Sequence, residues 1–319
     1  MEIRSLLDHL AQNETLADHA WDGWRITRVT GGWNNLLYRA TNAEHDLAIK
    51  FTIRDARDRA GREFAALTAL RAAGLDLAPA PVLLERDRYA LPVVAQTWVA
   101  GEANQTPPAT DAEWLCLLEH LATIHTVTPA RASHALPVAV VTMRDATEGI
   151  ARVRDQLALL PNDARPTSLV ALLARFAHCE FPAWDKPRDT LCRVDPNITN
   201  FIRNVGKWLS VDWENSGWGD PAFEIADLIV HPAYLTVDEP RWDWVIATYC
   251  RLRDDPQMEI RIRAYRRIML VWWVVRCARY LYDIPRGADR RLADRPKKWQ
   301  ADFQFKYERY LNLASQAML

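Results

Sequence analysis

Asp195 and Asn200 stand five positions apart in LCRVDPNITNFI (191–202), and Asp212 follows in KWLSVDWENSGWGDP. A proline and turn-forming polar residues separate the first two, so this segment reads as a loop between short strands. FIRN and KWLSVD flank the turn NVGK, which predicts a hairpin. Such pairing carries Asp212 back beside the loop that holds Asn200. A carboxylate and an amide oxygen converging there suit magnesium, a hard cation that takes oxygen ligands from few protein groups and from phosphates. Asp195, close by and not needed as a ligand, is placed to accept a proton from an attacking hydroxyl. A base, a metal-holding pair and a clamp on the phosphates are the components of phosphoryl transfer.

Candidates for the clamp lie in the first hundred residues. Lys50 ends the apolar stretch DLAIK, where burying an ammonium without a partner is costly. Glu63 falls in the helix that follows, and a Lys–Glu pair there aims the ammonium at phosphate oxygens. Arg59 and Arg62 offer Glu63 ordinary partners on a helix surface, so that reading stays open. TGGWNN (30–35) sets Gly31 and Gly32 between two strands. Their bare N–H groups would cover a phosphate chain, or simply turn a hairpin.

The elements that must position these groups are also legible. WRITRV (24–29), LLYRAT (36–41) and the LAIKFT segment around Lys50 are short and rich in β-formers. Turn residues separate them, so an antiparallel sheet is expected. Residues 57 to 73 carry apolar positions at helical spacing, with Gly74 as the stop. PVLLERD (81–87) and YALPVVAQTW (89–98) read as a further hairpin. From about residue 110 the patterns are long and helical, interrupted by a strand-rich island at 189–213. The expected class is α+β in two lobes. Residues 1–98 form a small β-rich N-lobe, 99–108 (VAGEANQTPP) a connector, and 109–319 a larger helical C-lobe with the catalytic loop and the acceptor site. A cleft between two such units is where a ligand binds.

Composition narrows the classes. The chain has 319 residues, with 40 basic against 41 acidic and a net charge of −1. That balance argues against a dedicated nucleic-acid binder, which needs a basic excess. Five cysteines, none spaced as C-x-x-C, argue against a disulfide framework or a zinc site and fit a reducing, cytoplasmic setting. MEIRSLLDHLAQNE has no apolar core and is not read as a signal peptide. The longest apolar run, IMLVWWVV (268–275), is too short for a bilayer and reads as a buried helix, so no membrane partner is expected.

Several of these motifs together resemble the aminoglycoside phosphotransferase and choline kinase family, small-molecule relatives of the protein kinases. The family's catalytic loop reads H-G-D-x-x-x-x-N, and residues 193–200 read RVDPNITN. Its metal strand, I-D-[WF]-E, is matched by VDWE (211–214), followed by GDPAFEIADL (219–228). LAIK, REFAAL and LATIH (121–125) agree as well. The resemblance implies a protein-kinase-like fold and ATP with magnesium as cofactors. The reaction it implies is transfer of the γ-phosphate to an alcohol group on an amino-alcohol, amino-sugar or antibiotic-like acceptor. By position, Asp195 resembles the catalytic base, Asn200 and Asp212 the magnesium ligands, Lys50 the phosphate-binding lysine and Glu63 its partner. QTWV (96–99), with Thr97 and Trp98, would be the connector whose backbone bonds the purine.

Two positions depart from the pattern, since Arg193 replaces the histidine and Val194 the glycine. They motivate a second reading, a catalytically weak or inactive nucleotide- or ligand-binding protein of the same fold. A third is a metal-dependent hydrolase built on Asp195, Asp212 and Asp220, although Asp220 before Pro221 also suits a helix N-cap. His125 reads as a helix-end packing residue. The chain holds 14 tryptophans. Trp213, Trp218, Trp242, Trp244, Trp272, Trp273 and Trp299 would either fill a core or receive a cationic small-molecule acceptor through their faces. Glu214, Asp238, Glu239 and Asp243 would attract such a cation. The arginines from Arg251 to Arg295 read as solvated helix faces.

Overall fold

The computed structural model describes residues 2–13, 18–29, 35–132, 135–204, 207–288 and 297–318. Helix α1 (Glu2–Gln12) places Leu6, Leu7 and Leu10 on one face, the spacing of an amphipathic helix, and buries them against a sheet. The sheet has six strands: β1 (His19–Trp21), β2 (Trp24–Val29), β3 (Asn35–Thr41), β4 (Asp46–Thr52), β5 (Pro81–Glu85) and β6 (Val93–Thr97). Their order is β1-β2-β3-β4-β6-β5, antiparallel throughout. Neither α1 nor β1 was among the elements expected from the sequence.

Strand periodicity fixes the most consequential side chain in this lobe. Leu47, Ile49 and Phe51 of β4 join the α1 leucines in one apolar cluster. Successive side chains alternate across a strand, so Ala48, Lys50 and Thr52 face the opposite side. There α2 (Arg59–Ala72) packs between the sheet and the second lobe. Its Ala66, Leu67 and Leu70 share a cluster with Ile124, Leu191 and Trp213. The helix stops where expected. Gly74, at φ 74°, donates to the Arg71 carbonyl while Leu75 donates to that of Leu70.

The expected connector is not a free linker. Its β7 (Glu102–Ala103) pairs with β9 (Phe201–Asn204), and Asn104 donates both N–H and Nδ2 to the Phe201 carbonyl. The helical lobe comprises α3 (Asp111–Ile124), α4 (Ala146–Ala158), α5 (Thr167–Phe176), α6 (Pro221–Val230), α7 (Glu239–Leu252), α8 (Met258–Asp283) and α9 (Trp299–Ala317). β8 (Thr190–Cys192), β10 (Lys207–Ser210) and β11 (Gly217–Gly219) complete the strand-rich island. β9 and β10 form the expected hairpin, with Phe201 opposite Ser210, and β11 pairs with β8. IMLVWWVV lies in the middle of α8 and is almost wholly buried. Among the described residues no helix is long and apolar enough to cross a membrane.

α6 is the helix on which the site rests. All ten of its residues are buried, including Glu224 and Asp227. Two carboxyl groups on a helix with no exposed face need internal partners, because an unpaired buried charge is costly.

Candidate active site

Those partners are the backbone of the loop that carries Asp195. Val194 and Asp195 both adopt left-handed conformations, at φ 56° and 60°. For a β-branched residue that is a strained geometry, and surrounding contacts must hold it. Glu224 accepts the N–H groups of Arg193 (3.1 Å) and Val194 (3.0 Å), and Asp227 accepts that of Asp195 (3.3 Å). Glu224 is in turn bonded by His125 Nε2 at 2.7 Å, and His125 Nδ1 by the Tyr249 hydroxyl. Burial alone would push the Glu224 carboxyl up. The His125 hydrogen bond and charge, the Arg193 charge and the Val194 N–H outweigh it and hold the group below its ordinary value. His125 therefore does more than pack. Ligand atoms of His125, Cys192 and Glu224 lie within 4.8 Å of one another. Because His125 and Glu224 already have hydrogen-bond partners on both heteroatoms, the cluster is a scaffold.

Arg193 is a tether within the loop. Its guanidinium is buried, donates to the carbonyls of Asp195 (2.9 Å) and Val211 (3.0 Å), and lies 4.8 Å from the Phe201 ring centroid. It thus ties the loop to the strand that leads into Asp212.

The Asp195 carboxylate is held at one oxygen and open at the other. Oδ1 receives the Nε2–H of His231 at 3.2 Å, while His231 Nδ1 accepts the Ala233 N–H at 3.2 Å. That second bond leaves Nδ1 unprotonated and assigns the proton to Nε2. Oδ2 has Asn215 Nδ2 at 3.5 Å, and the side chain is 41% exposed. Burial would raise the Asp195 carboxyl. The hydrogen bond from His231, with the charges of Arg193 and Arg276, prevails and keeps it below the usual carboxylate value. At neutral pH it is an ionised group with one free oxygen, which is what a base needs.

Opposite it, Lys50 is nearly buried among acids. Nζ donates to Glu63 at 2.8 Å and contacts Asp212, with Glu214 at 3.9 Å. Burial would lower the ammonium, but Asp212, Glu63 and Glu214 together raise it, so Lys50 stays charged. The Lys50–Glu63 pair is therefore present, and the helix-surface alternative for Glu63 falls away. Asp212 sits at φ 63°, turning its carboxylate toward the same space. Asn200 is brought alongside, because its carbonyl accepts the Val211 N–H at 2.9 Å. Its amide nitrogen is turned to the Asp195 carbonyl at 3.5 Å, which leaves the amide oxygen for a cation. Asp195, Asn200, Asp212, Lys50 and Glu63 thus converge.

Other expectations need correction. Glu214 belongs to this buried cluster and not to an acceptor surface. It pairs with Arg59 and accepts from Asn35 Nδ2 at 2.9 Å, and burial, the Asp212 charge adding to it, pushes its carboxyl up to about 7. Glu239 pairs with Arg266, and Asp243 with Arg263, so neither is a free anion. Asp220 is the N-cap of α6 and is bonded by Arg261 (2.8 Å) and the Tyr265 hydroxyl (2.9 Å). It is an anchor, which removes the third ligand of a hydrolase. Arg261 is accordingly buried rather than solvated. The N–H of Thr97 donates to Ala80 and that of Trp98 to Asp46, so only their carbonyls remain for a purine. Gly31 and Gly32 lie outside the described residues.

The fold, an antiparallel sheet lobe beside a larger helical lobe, is the kinase-like α+β fold. The model of the phosphotransferase enzyme family matches residues 25–268, and the chain belongs to that family. Among solved structures it is similar to a choline/ethanolamine kinase family protein from Mesorhizobium loti, at 19% identity and TM-score 0.63, covering 100% of this chain and 98% of that one. Spectinomycin phosphotransferase, solved with ADP and spectinomycin, is similar at 12% identity and TM-score 0.62, covering 99% and 98%. Choline kinase from Streptococcus pneumoniae follows at 14% and 0.58, covering 99% and 100%. At these identities the likeness shows the fold. No curated protein matches the chain.

Glu224, Asp227, His231 and Arg59 were not among the expected site residues, and Glu214 was expected on the acceptor side. A signal for the first two was present: acids in GDPAFEIADLIV, otherwise an unbroken apolar helix. His231 bonds to Asp195 across a helix end, and no spacing in the sequence announces that.

Proposed function

We propose that the chain is a kinase that transfers the γ-phosphate of ATP to an alcohol group on a small molecule. The observation that supports this best is the convergence of Asp195, Asn200 and Asp212 opposite a charged, carboxylate-held Lys50. Asp195, ionised and oriented by His231, takes the proton of the attacking hydroxyl as the new P–O bond forms. Asp212 and the Asn200 amide oxygen offer the hard donors that magnesium prefers and would hold it against the phosphates. Bound there, the metal would neutralise charge that develops on the transferring group. Lys50 now contacts Asp212; incoming phosphates take over that ammonium, with Glu63 keeping it aimed.

The inactive-binder reading rested on Arg193 and Val194. Arg193 restores the missing tether, and the Glu224 carboxylate holds Val194 in the required backbone conformation, so neither departure removes a reacting group. Acceptors of the amino-alcohol, amino-sugar and antibiotic-like kinds are the starting set, and the five unpaired cysteines accord with a cytoplasmic setting. The test is purified protein with labelled ATP and magnesium, with and without such acceptors. Magnesium-dependent transfer, or slow ATP hydrolysis without acceptor that chelation abolishes, is expected. Absence of both, together with no nucleotide binding, would refute the kinase.

A further inference from the structure

Near Asp195 lies a cation, Arg276, whose charge reaches that carboxylate but which no carboxylate among the described residues contacts. Arg276 of α8 is half-buried, and its guanidinium lies 4.8, 5.7 and 5.0 Å from the ring centroids of Trp272, Trp273 and Tyr280. Among the described residues it has no hydrogen bond and no carboxylate partner, and its Nε is a buried donor without an acceptor. On the same helix Arg261, Arg263, Arg266 and Arg279 each meet an acid, and Arg267 donates to the Ala317 and Glu180 backbone carbonyls, whereas Arg276 has neither kind of partner among the described residues. Arg276 is also near the base. The Trp273 ring is 6.3 Å from that of His231, whose Nε2–H holds Asp195.

The three rings contact the cation without accepting from it, so its planar fork of N–H donors is committed to no acceptor among the described residues. A fork offering only donors fits a group that only accepts. A carboxylate does so with matching bidentate geometry, and a single positive charge balances its single negative one. A phosphate dianion would call for further cations beside it. The same contacts disfavour an ammonium acceptor at Trp272, Trp273 and Trp244, where other groups already lie against the rings. Arg276 covers Trp272 and Trp273, Tyr310 stacks on Trp273 at 5.4 Å, and Arg241 covers Trp244.

We propose that Arg276 determines acceptor specificity by binding a carboxylate, so that the acceptor is a small hydroxy acid or hydroxy amino acid whose alcohol reaches Asp195. The inference rests on the kinase reading and names its substrate class.

The test uses acceptor pairs that differ only in the carboxylate, L-serine against ethanolamine and L-homoserine against 3-aminopropanol. Each is assayed with magnesium and ATP, and each acid is titrated calorimetrically in the presence of magnesium and ADP. The wild type is expected to favour the acid of at least one pair in kcat/KM. Arg276→Gln should raise KM for that acid by about tenfold or more, the scale of a charge-assisted hydrogen-bond pair, and bring the ratio between the two members toward one. Preference for the amine of each pair, an equal loss for both members in the variant, or acids that neither bind nor react would overturn it. A variant that instead loses nucleotide affinity would assign Arg276 to the phosphates. Phosphorylation of the amines alone leaves the kinase reading standing, whereas a protein that binds no nucleotide removes both.

Discussion

The two ends of the cleft handle charge in opposite ways. At the nucleotide end Lys50, Glu63, Asp212, Glu214 and Arg59 form one cluster in which every charge has an opposite within contact. On the side proposed for the acceptor, Asp195 Oδ2 has only the long Asn215 contact, and Arg276 has aromatic rings but no carboxylate in contact among the described residues. The difference teaches where the fold supplies the counter-charge and where it leaves that to a ligand. A buried pair sets geometry in advance, and removing one partner strands the other. An unmatched charge at an opening costs less, because water reaches it until a ligand does.

The largest effect expected from this contrast is on stability. Lys50→Met leaves Glu63 buried among acids and should cost about 3–5 kcal/mol in denaturant unfolding. A cost below about 1 kcal/mol would mean that the cluster is well solvated and the contrast overstated. Asp227→Asn probes the scaffold between the two ends. Burial pushes the Asp227 carboxyl up to about 7, so the folded state binds a proton that the unfolded chain releases near its ordinary value. Its penalty is therefore absent in acid, grows as pH rises from about 4 to 7, and is complete above that. Relative to wild type the variant should gain stability across that window, while still accepting the Asp195 N–H. A difference that does not vary with pH would contradict the assignment.

His231→Asn acts on the base alone. Without the imidazole N–H the Asp195 carboxyl rises toward its ordinary value. The acid limb of the kcat profile should then move to higher pH, since activity needs the ionised form. An unmoved limb would leave His231 a packing residue. The smallest effect expected is the stability change of Arg276→Gln, about 1 kcal/mol, since cation–π contacts are lost but no ion pair is broken. A loss of several kcal/mol would make it a structural member like Arg261.

How much of this was legible depended on whether local periodicity or a distant contact decides the position. Lys50 was readable because apolar residues alternate around it in β4, and Asp212 because FIRN and KWLS pair as a short hairpin. Asp195 and Asn200 share one loop, so their spacing alone carried information. Glu214 was misplaced because its partner Arg59 lies in the other lobe, and Arg261 because Asp220 lies on another helix. The apolar face of α1 was present in Leu6, Leu7 and Leu10 but was read only for export signals. His231 needed the end of α6 to be known within a residue, the least readable feature of a helix.

The central claim, that Asp195 performs proton transfer while the Lys50–Asp212 end binds the phosphates, is tested most directly by Asp195→Ala. Turnover and magnesium–nucleotide affinity should be measured on the same preparation, with Asp212→Ala alongside. Turnover in Asp195→Ala should fall by about 10² to 10⁴ with nucleotide affinity unchanged, while Asp212→Ala loses the magnesium-dependent part of that affinity. Wild-type turnover in Asp195→Ala, or unaltered magnesium-dependent binding in Asp212→Ala, would contradict the account.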